Sequence, residues 1–166
     1  MNKYSDDYDA RHSFQRIISG GQTGVDRAAL DFAIEHGYPH GGWAPRGREA
    51  EDGPIPLKYQ LTELTVGGYR QRTKRNVEDS NATLIINIGT LDGGTLTTQA
   101  FAHKLGRPCF VAQLDGDTLE STALRILEWL QAHTIQTLNV AGPRESKRPG
   151  IYRLTRELLE VIATIS

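Results

Sequence analysis

Residues 15 to 31, Gln-Arg-Ile-Ile-Ser-Gly-Gly-Gln-Thr-Gly-Val-Asp-Arg-Ala-Ala-Leu-Asp, constrain this chain more than any other stretch. Ile17 and Ile18 form a short β-branched pair, and Gly20, Gly21 and Gly24 follow at once. Val25, Ala28, Ala29, Phe32 and Ala33 then recur on one face at helical spacing, so the segment reads as strand, tight turn and helix. Such a unit carries its own anion site. The first N–H groups of a helix lack partners, the peptide dipoles leave partial positive charge there, and glycine lets a bulky anion approach the backbone. Gly20, Gly21, Gln22, Thr23 and Gly24 are therefore candidates for a phosphate cradle. The competing reading is a plain strand-to-helix turn whose glycines only satisfy a positive φ.

The remainder of the chain repeats the alternation. His36-Gly37 closes the first helix. Tyr38 to Trp43 reads as a short second strand, and residues 44–68 as a folded-over loop, polar, non-periodic and rich in proline and glycine. Tyr69 to Ser80 is read as helix, with Tyr69, Thr73 and Val77 on its packing face. A buried strand from Thr83 to Ile88, a second Gly-rich turn from Gly89 to Gly94 and a helix from Thr95 to Leu105 come next. Cys109 to Leu114 is a strand, and Asp117 to Glu120 has capping-box spacing ahead of the stripe Leu119, Ala123, Ile126, Leu127 and Leu130. Thr137 to Val140 is the last strand, and a helix from about Gly150 buries Ile151, Leu154, Leu158 and Ile162. Alternating helices and near-continuous apolar strands predict a three-layer α/β/α Rossmann-like fold with a mainly parallel sheet. Residues 1–14, polar and aperiodic, are expected to be a flexible tail before a single ligand-binding domain at 15–166.

Parallel strands deliver the loops that follow them to one sheet edge, where such folds bind ligands. The loops at 20–24, 89–95 and 142–146 should therefore converge. In the second, Gly89, Thr90, Gly93, Gly94, Thr95 and Thr98 combine close backbone approach with hydroxyls at a helix start, or else the hydroxyls merely cap the helix. The segment Arg70-Gln71-Arg72-Thr73-Lys74-Arg75-Asn76 sets four cations in the first turns of a helix that ends in Glu78 and Asp79. The helix dipole disfavours that order by about 0.3–1 kcal/mol per exposed charge, so an anion held by Arg72, Arg75 and Asn76 would explain it, against a solvated basic face. Gly142 and Arg144, in the segment 141–147, add a cation and, with Ser146, a hydroxyl at the same edge, or else mark an ordinary turn. Trp43 is placed to stack on a base or pterin ring, or in the core. Asp26 is a candidate partner for a ribose hydroxyl, or a favourable charge near a helix start.

Composition limits the alternatives. The net charge of −1 gives no general affinity for nucleic acid or an anionic membrane. No apolar run approaches the ~20 residues that span a bilayer, and the N-terminus has no signal-peptide core. A lone cysteine, Cys109, fits a reducing cytoplasmic compartment. The five histidines show no ligand spacing, so no metal site is expected, and no Ser-His-Asp signature or P-loop marks catalytic residues.

Four segments carry a resemblance: 17–31, 69–86, Gly-Gly-Thr-Leu-Thr-Thr at 93–98, and Asn-Val-Ala-Gly-Pro-Arg-Glu-Ser at 139–146. In order, from about residue 15 to the end, they resemble the putative molybdenum carrier family, the circularly permuted YpsA-type branch of the SLOG superfamily. That resemblance implies a Rossmann-like module that binds nucleotides or nucleotide-derived ligands, and self-association into a homo-oligomer. Its cofactor would be the molybdenum cofactor (molybdopterin) or a nucleotide, its partner a small phosphorylated ligand. Related phosphoribohydrolases of the LOG type carry Pro-Gly-Gly-x-Gly-Thr-x-x-Glu with a glutamate in the chemistry. Aligning Gly94-Thr95 to its Gly-Thr puts Thr98 at the glutamate position, and a hydroxyl cannot serve as a carboxylate base. The resemblance thus implies a binding protein, with a nucleoside-monophosphate-processing enzyme or a ligand sensor as alternatives. In the enzyme alternative Asp26, Asp92 or Glu145 would stand in for the glutamate.

Overall fold

The computed structural model describes residues 13–166. In chain order its elements are β1 (Arg16–Ile18), α1 (Val25–Glu35), β2 (His40–Gly41), β3 (Trp43–Ala44) and a single 3-10 turn (Arg46–Arg48). There follow β4 (Glu49–Ala50), β5 (Gly53–Pro54), β6 (Thr62–Glu63), α2 (Tyr69–Glu78), β7 (Ala82–Asn87) and α3 (Gly93–Lys104). The chain closes with β8 (Cys109–Gln113), α4 (Leu119–Gln131), β9 (Thr137–Ala141) and α5 (Ile151–Ile165).

Five strands make one parallel sheet in the order β2-β1-β9-β7-β8. β9 is the hinge of the topology, with Ile17 of β1 opposite its Leu138 and Leu84 of β7 opposite its Val140. All six residues of β7 are buried, as a strand covered on both faces requires. Ala82, Leu84 and Ile86 join α1, α4 and α5 in the main core with Val25, Phe32, Ile126 and Leu158. Strand alternation turns Thr83, Ile85 and Asn87 to the other face, where α2 and α3 close over Val77, Phe101 and Ala102. Two helical layers around a parallel sheet form the three-layer α/β/α arrangement.

Several expectations change. The second strand splits at Gly42, whose φ of 126° turns the backbone against Ser19. Only β2 stays in the main sheet, while β3 leaves to pair with β6. Residues 44–68 are not a bare loop: they add the β4–β5 hairpin and a small core of Leu30, Ala44, Ile55 and Tyr59. The Arg48 guanidinium pins this segment by donating to the carbonyls of Ile55, Pro56, Tyr59 and Leu61. Tyr69 is not on a packing face but 45% exposed, because it begins α2 at the mouth of a cavity. The cap of α4 is Thr118, whose hydroxyl accepts from the Ser121 amide at 3.1 Å, while Asp117 pairs with Arg125. Of the expected tail, residues 1–12 lie outside the described residues, and Phe14 is core, its ring 5.2 Å from that of Tyr38. Among the described residues no helix is long and apolar enough to cross a membrane.

Candidate functional site

Because β1, β7 and β9 are parallel neighbours, the loops after them leave the sheet at one edge. α1 departs from β1 toward one face and α3 from β7 toward the other, which opens a crevice between them. A cavity of about 180 Å³ fills it. From the β1 loop and α1 it takes Gly20, Gln22 and Asp26; from α2, Tyr69, Arg72, Thr73 and Asn76. α3 contributes Gly94, Thr95 and Thr98, and β9 with its loop contributes Asn139, Ala141, Gly142, Pro143, Arg144 and Lys147.

The α3 end of this cavity is open backbone. The first intrahelical donor of α3 is Leu96, to the Asp92 carbonyl at 3.1 Å, so the amides of Gly93, Gly94 and Thr95 have no partner within the helix. A Cβ built on Gly94 meets nothing within 4 Å. Thr98 does not cap: its hydroxyl donates to the Gly94 carbonyl at 2.9 Å, as Thr97 does to Gly93. Lys147 Nζ sits 2.8 Å from Asp92 and supplies a cation at the same end.

On the opposite wall Arg72 reaches across from α2. Its Nη1 donates to the Gly20 carbonyl at 3.0 Å and lies 3.4 Å from the Asp26 carboxylate. Gly20 is glycine for this reason, since a Cβ there would strike the guanidinium. Burial raises the Asp26 pKa, and this outweighs the opposing pull of Arg72 and of the Gln22 amide. The folded protein therefore holds the Asp26 proton more tightly than the unfolded chain, and wild-type stability falls as pH rises through the raised value. Asp26→Asn, neutral throughout, should gain stability over wild type at pH 8, with the gain shrinking toward pH 4, measured by urea midpoints at each pH.

Other predicted residues fall outside the cavity lining, each with another role. Gly21 packs on Ile55 and Leu61, and Gly24 on the backbone of residues 143–145. Thr23 donates its hydroxyl to Glu51 and accepts from the Glu145 amide. Trp43 is fastened to α2, its indole N–H on Asp79 at 2.6 Å, its backbone on the Asn76 amide group and its ring 4.2 Å from the Arg75 guanidinium. That stacking accounts for Arg75, while Arg70 lies over Phe101 and Lys74 pairs with Glu78. Of the basic run on α2, only Arg72 turns into the cavity. Gly89 and Thr90 present carbonyls to Gln113 and Arg148 instead of donors to the crevice. Gly142 lines the cavity, yet a Cβ there would meet Val25 and the Ile86 backbone.

The model of the circularly permutated YpsA SLOG family matches residues 17–163. The chain belongs to that family. A crystal structure of a putative molybdenum carrier protein from Syntrophus aciditrophicus SB is similar to it, with 51% identity and a TM-score of 0.89 over 90% of this chain and 95% of that one. No curated protein matches.

For this member of the SLOG family, the carboxylates named as substitutes for the LOG-type glutamate separate clearly. Glu145 accepts from the amides of Gly150 and Tyr152 and so braces the start of α5. Asp92 is paired with Lys147 and Arg148. Asp26 alone of the three lines the cavity. Sequence reasoning passed over Asn139, Lys147 and Tyr69 as site residues. Asn139 had a signal, an amide inside an apolar strand; it donates to Thr83 at 3.2 Å beneath the cavity. Among the described residues no group of three or more His, Cys, Asp or Glu side chains is placed to hold a metal.

Proposed function

We propose that this chain is a binding protein for a small phosphorylated ligand, the molybdenum cofactor or a nucleotide, seated with its phosphate against the start of α3. The observation that carries this is the crevice itself: unpartnered amides at Gly94 and Thr95 face a wall that bears Arg72, whose buried Nε lacks a hydrogen-bond partner. The name of the Syntrophus relative favours the molybdenum cofactor, and the superfamily resemblance favours a nucleotide. A cavity of 180 Å³ is smaller than the roughly 300–1,000 Å³ of whole-ligand pockets, so it suits the phosphate and adjoining sugar or chain, with the heteroaromatic ring at the rim. Tyr69, exposed at that rim, takes the stacking role that the sequence assigned to Trp43. Native mass spectrometry of the purified protein identifies what it carries, and calorimetric titration with AMP tests the site. Tyr69→Ala should weaken AMP about tenfold, the scale of one lost base stack, and inorganic phosphate by less, since for phosphate only the Arg72 guanidinium, 5.4 Å from the ring centroid, loses a neighbour. Equal AMP affinity in both proteins would remove the rim from the proposal.

A second reading, hydrolysis of a nucleoside monophosphate to base and ribose 5-phosphate, is favoured by one observation: Asp26, with its raised pKa, lines the cavity. Incubation with AMP and assay of free adenine separates the two. The binding reading expects no release above buffer, whereas turnover that Asp26→Asn abolishes would replace it.

A further inference from the structure

Beside the cavity, the tip of the β4–β5 hairpin puts one carboxylate into a nest of donors. Glu51 receives the hydroxyls of Thr23 and Ser146 and the Ser146 amide at 3.1 Å, and Arg144 Nε lies 3.3 Å away. The Thr23 hydroxyl accepts from the Glu145 amide at 3.2 Å, so its hydrogen is directed at Glu51. Gln22 adds a tether, its Oε1 accepting from the amides of Glu51 at 2.9 Å and Thr23 at 3.0 Å. Burial alone would raise the Glu51 pKa, but the Ser146 and Thr23 hydroxyls, the Ser146 amide and Arg144 together hold it below the ordinary carboxylate value.

These donors come from two segments far apart in sequence, the turn before α1 and the loop after β9. Two hydroxyls, an amide and a guanidinium are what a phosphate group also takes. Arg144 and Gln22 line the cavity as well, so the nest is continuous with it. The Glu51 side chain is 24% exposed, open to exchange with solutes. Displacement needs only the Glu51 side chain to turn out of the nest, since the hairpin stays in place through the two bonds of Asp52 to Arg27, at 2.9 and 3.0 Å, and the Gln22 tether on the Glu51 amide.

We propose that Thr23, Arg144 and Ser146 form a second oxyanion subsite, for a second phosphate group of the ligand, which Glu51 occupies until that group displaces it. This rests on the phosphate reading of the cavity and adds an internal competitor to it. Glu51 carries one negative charge, whereas a phosphate monoester carries about −1.5 to −2 at pH 7 and three acceptor oxygens, which lets it win the nest.

The test is titration of the full chain with ADP and with AMP, by calorimetry and by the 15N shift of the Ser146 amide. Glu51→Ala empties the nest and Glu51→Gln removes only the charge; both should bind ADP at least tenfold more tightly than wild type, with the Ser146 amide shifting at correspondingly lower ADP, while AMP, whose one phosphate sits at the start of α3, keeps its wild-type affinity. Ser146→Ala in the Glu51→Ala background should reverse the gain. If wild type binds ADP and loses it in Gly94→Val, yet both Glu51 variants keep the wild-type ADP affinity, the subsite is wrong and the cavity reading stands. If neither wild type nor either variant binds ADP or AMP, both fall.

Discussion

Gly94→Val should bind AMP more than about a hundredfold more weakly than wild type while its urea midpoint stays near the wild-type value. The isopropyl group would stand over the unpartnered amides of Gly94 and Thr95 at the start of α3 and keep a phosphate from both. Two charge-assisted hydrogen bonds at about 1.5 kcal/mol each amount to about 3 kcal/mol, slightly over two decades in affinity. Stability is spared because the φ of Gly94 is not in the left-handed region and an added Cβ meets nothing within 4 Å. Valine is also no worse a helix former than glycine. Unchanged AMP affinity in a folded Gly94→Val protein would sink the phosphate site.

The converse holds for Gly24→Ala, which should cost roughly 3 kcal/mol or more of folding stability. Gly24 has φ 80°, and a Cβ there would lie 2.8 Å from the Glu145 amide nitrogen and 2.9 Å from the Arg144 carbonyl carbon. Both obstacles are backbone, so relief requires the β9–α5 loop to move off α1. A strained φ at about 1–3 kcal/mol and overpacking at about 1–3 kcal/mol act together. The measurement is the urea midpoint at unchanged m-value, and a loss under about 0.5 kcal/mol would show that the loop is not seated against Gly24. Gly37→Ala is the control: its φ of 71° is similarly strained, but the space around it is empty, so it should show the strain cost alone.

That pair marks the boundary of what the chain's letters convey. Gly24 in Thr23-Gly24-Val25 and Gly94 in Gly93-Gly94-Thr95 are both glycines beside a threonine where a helix begins, and as letters they suggest the same use. Nothing local distinguishes them, because what faces each one is a segment far away in sequence. The same holds for the basic run on α2. Arg70, Arg72, Lys74 and Arg75 are equivalent as charges, yet each finds a different partner, and only Arg72 meets Asp26 and the Gly20 carbonyl. Trp43 is packed and Tyr69 exposed for a related reason. Asn76 and Asp79 hold Trp43 down from the next helix, and Tyr69 is left at the rim.

The sequence by itself determined the alternation of strand and helix, the parallel sheet, the edge to which the loops run and the family. The first three follow from near-neighbour pattern: apolar runs, 3.6-residue spacing, glycines at element ends and the single sense of parallel strands; the family follows from the four segments that resemble it. Tertiary structure alone decided which glycines face space and which face backbone, which arginine points inward, and that Glu51 lies in the donors of Thr23, Arg144 and Ser146. Those outcomes depend on contacts between segments up to 122 positions apart, as between Glu145 and Thr23, where close packing and not local propensity selects the neighbour.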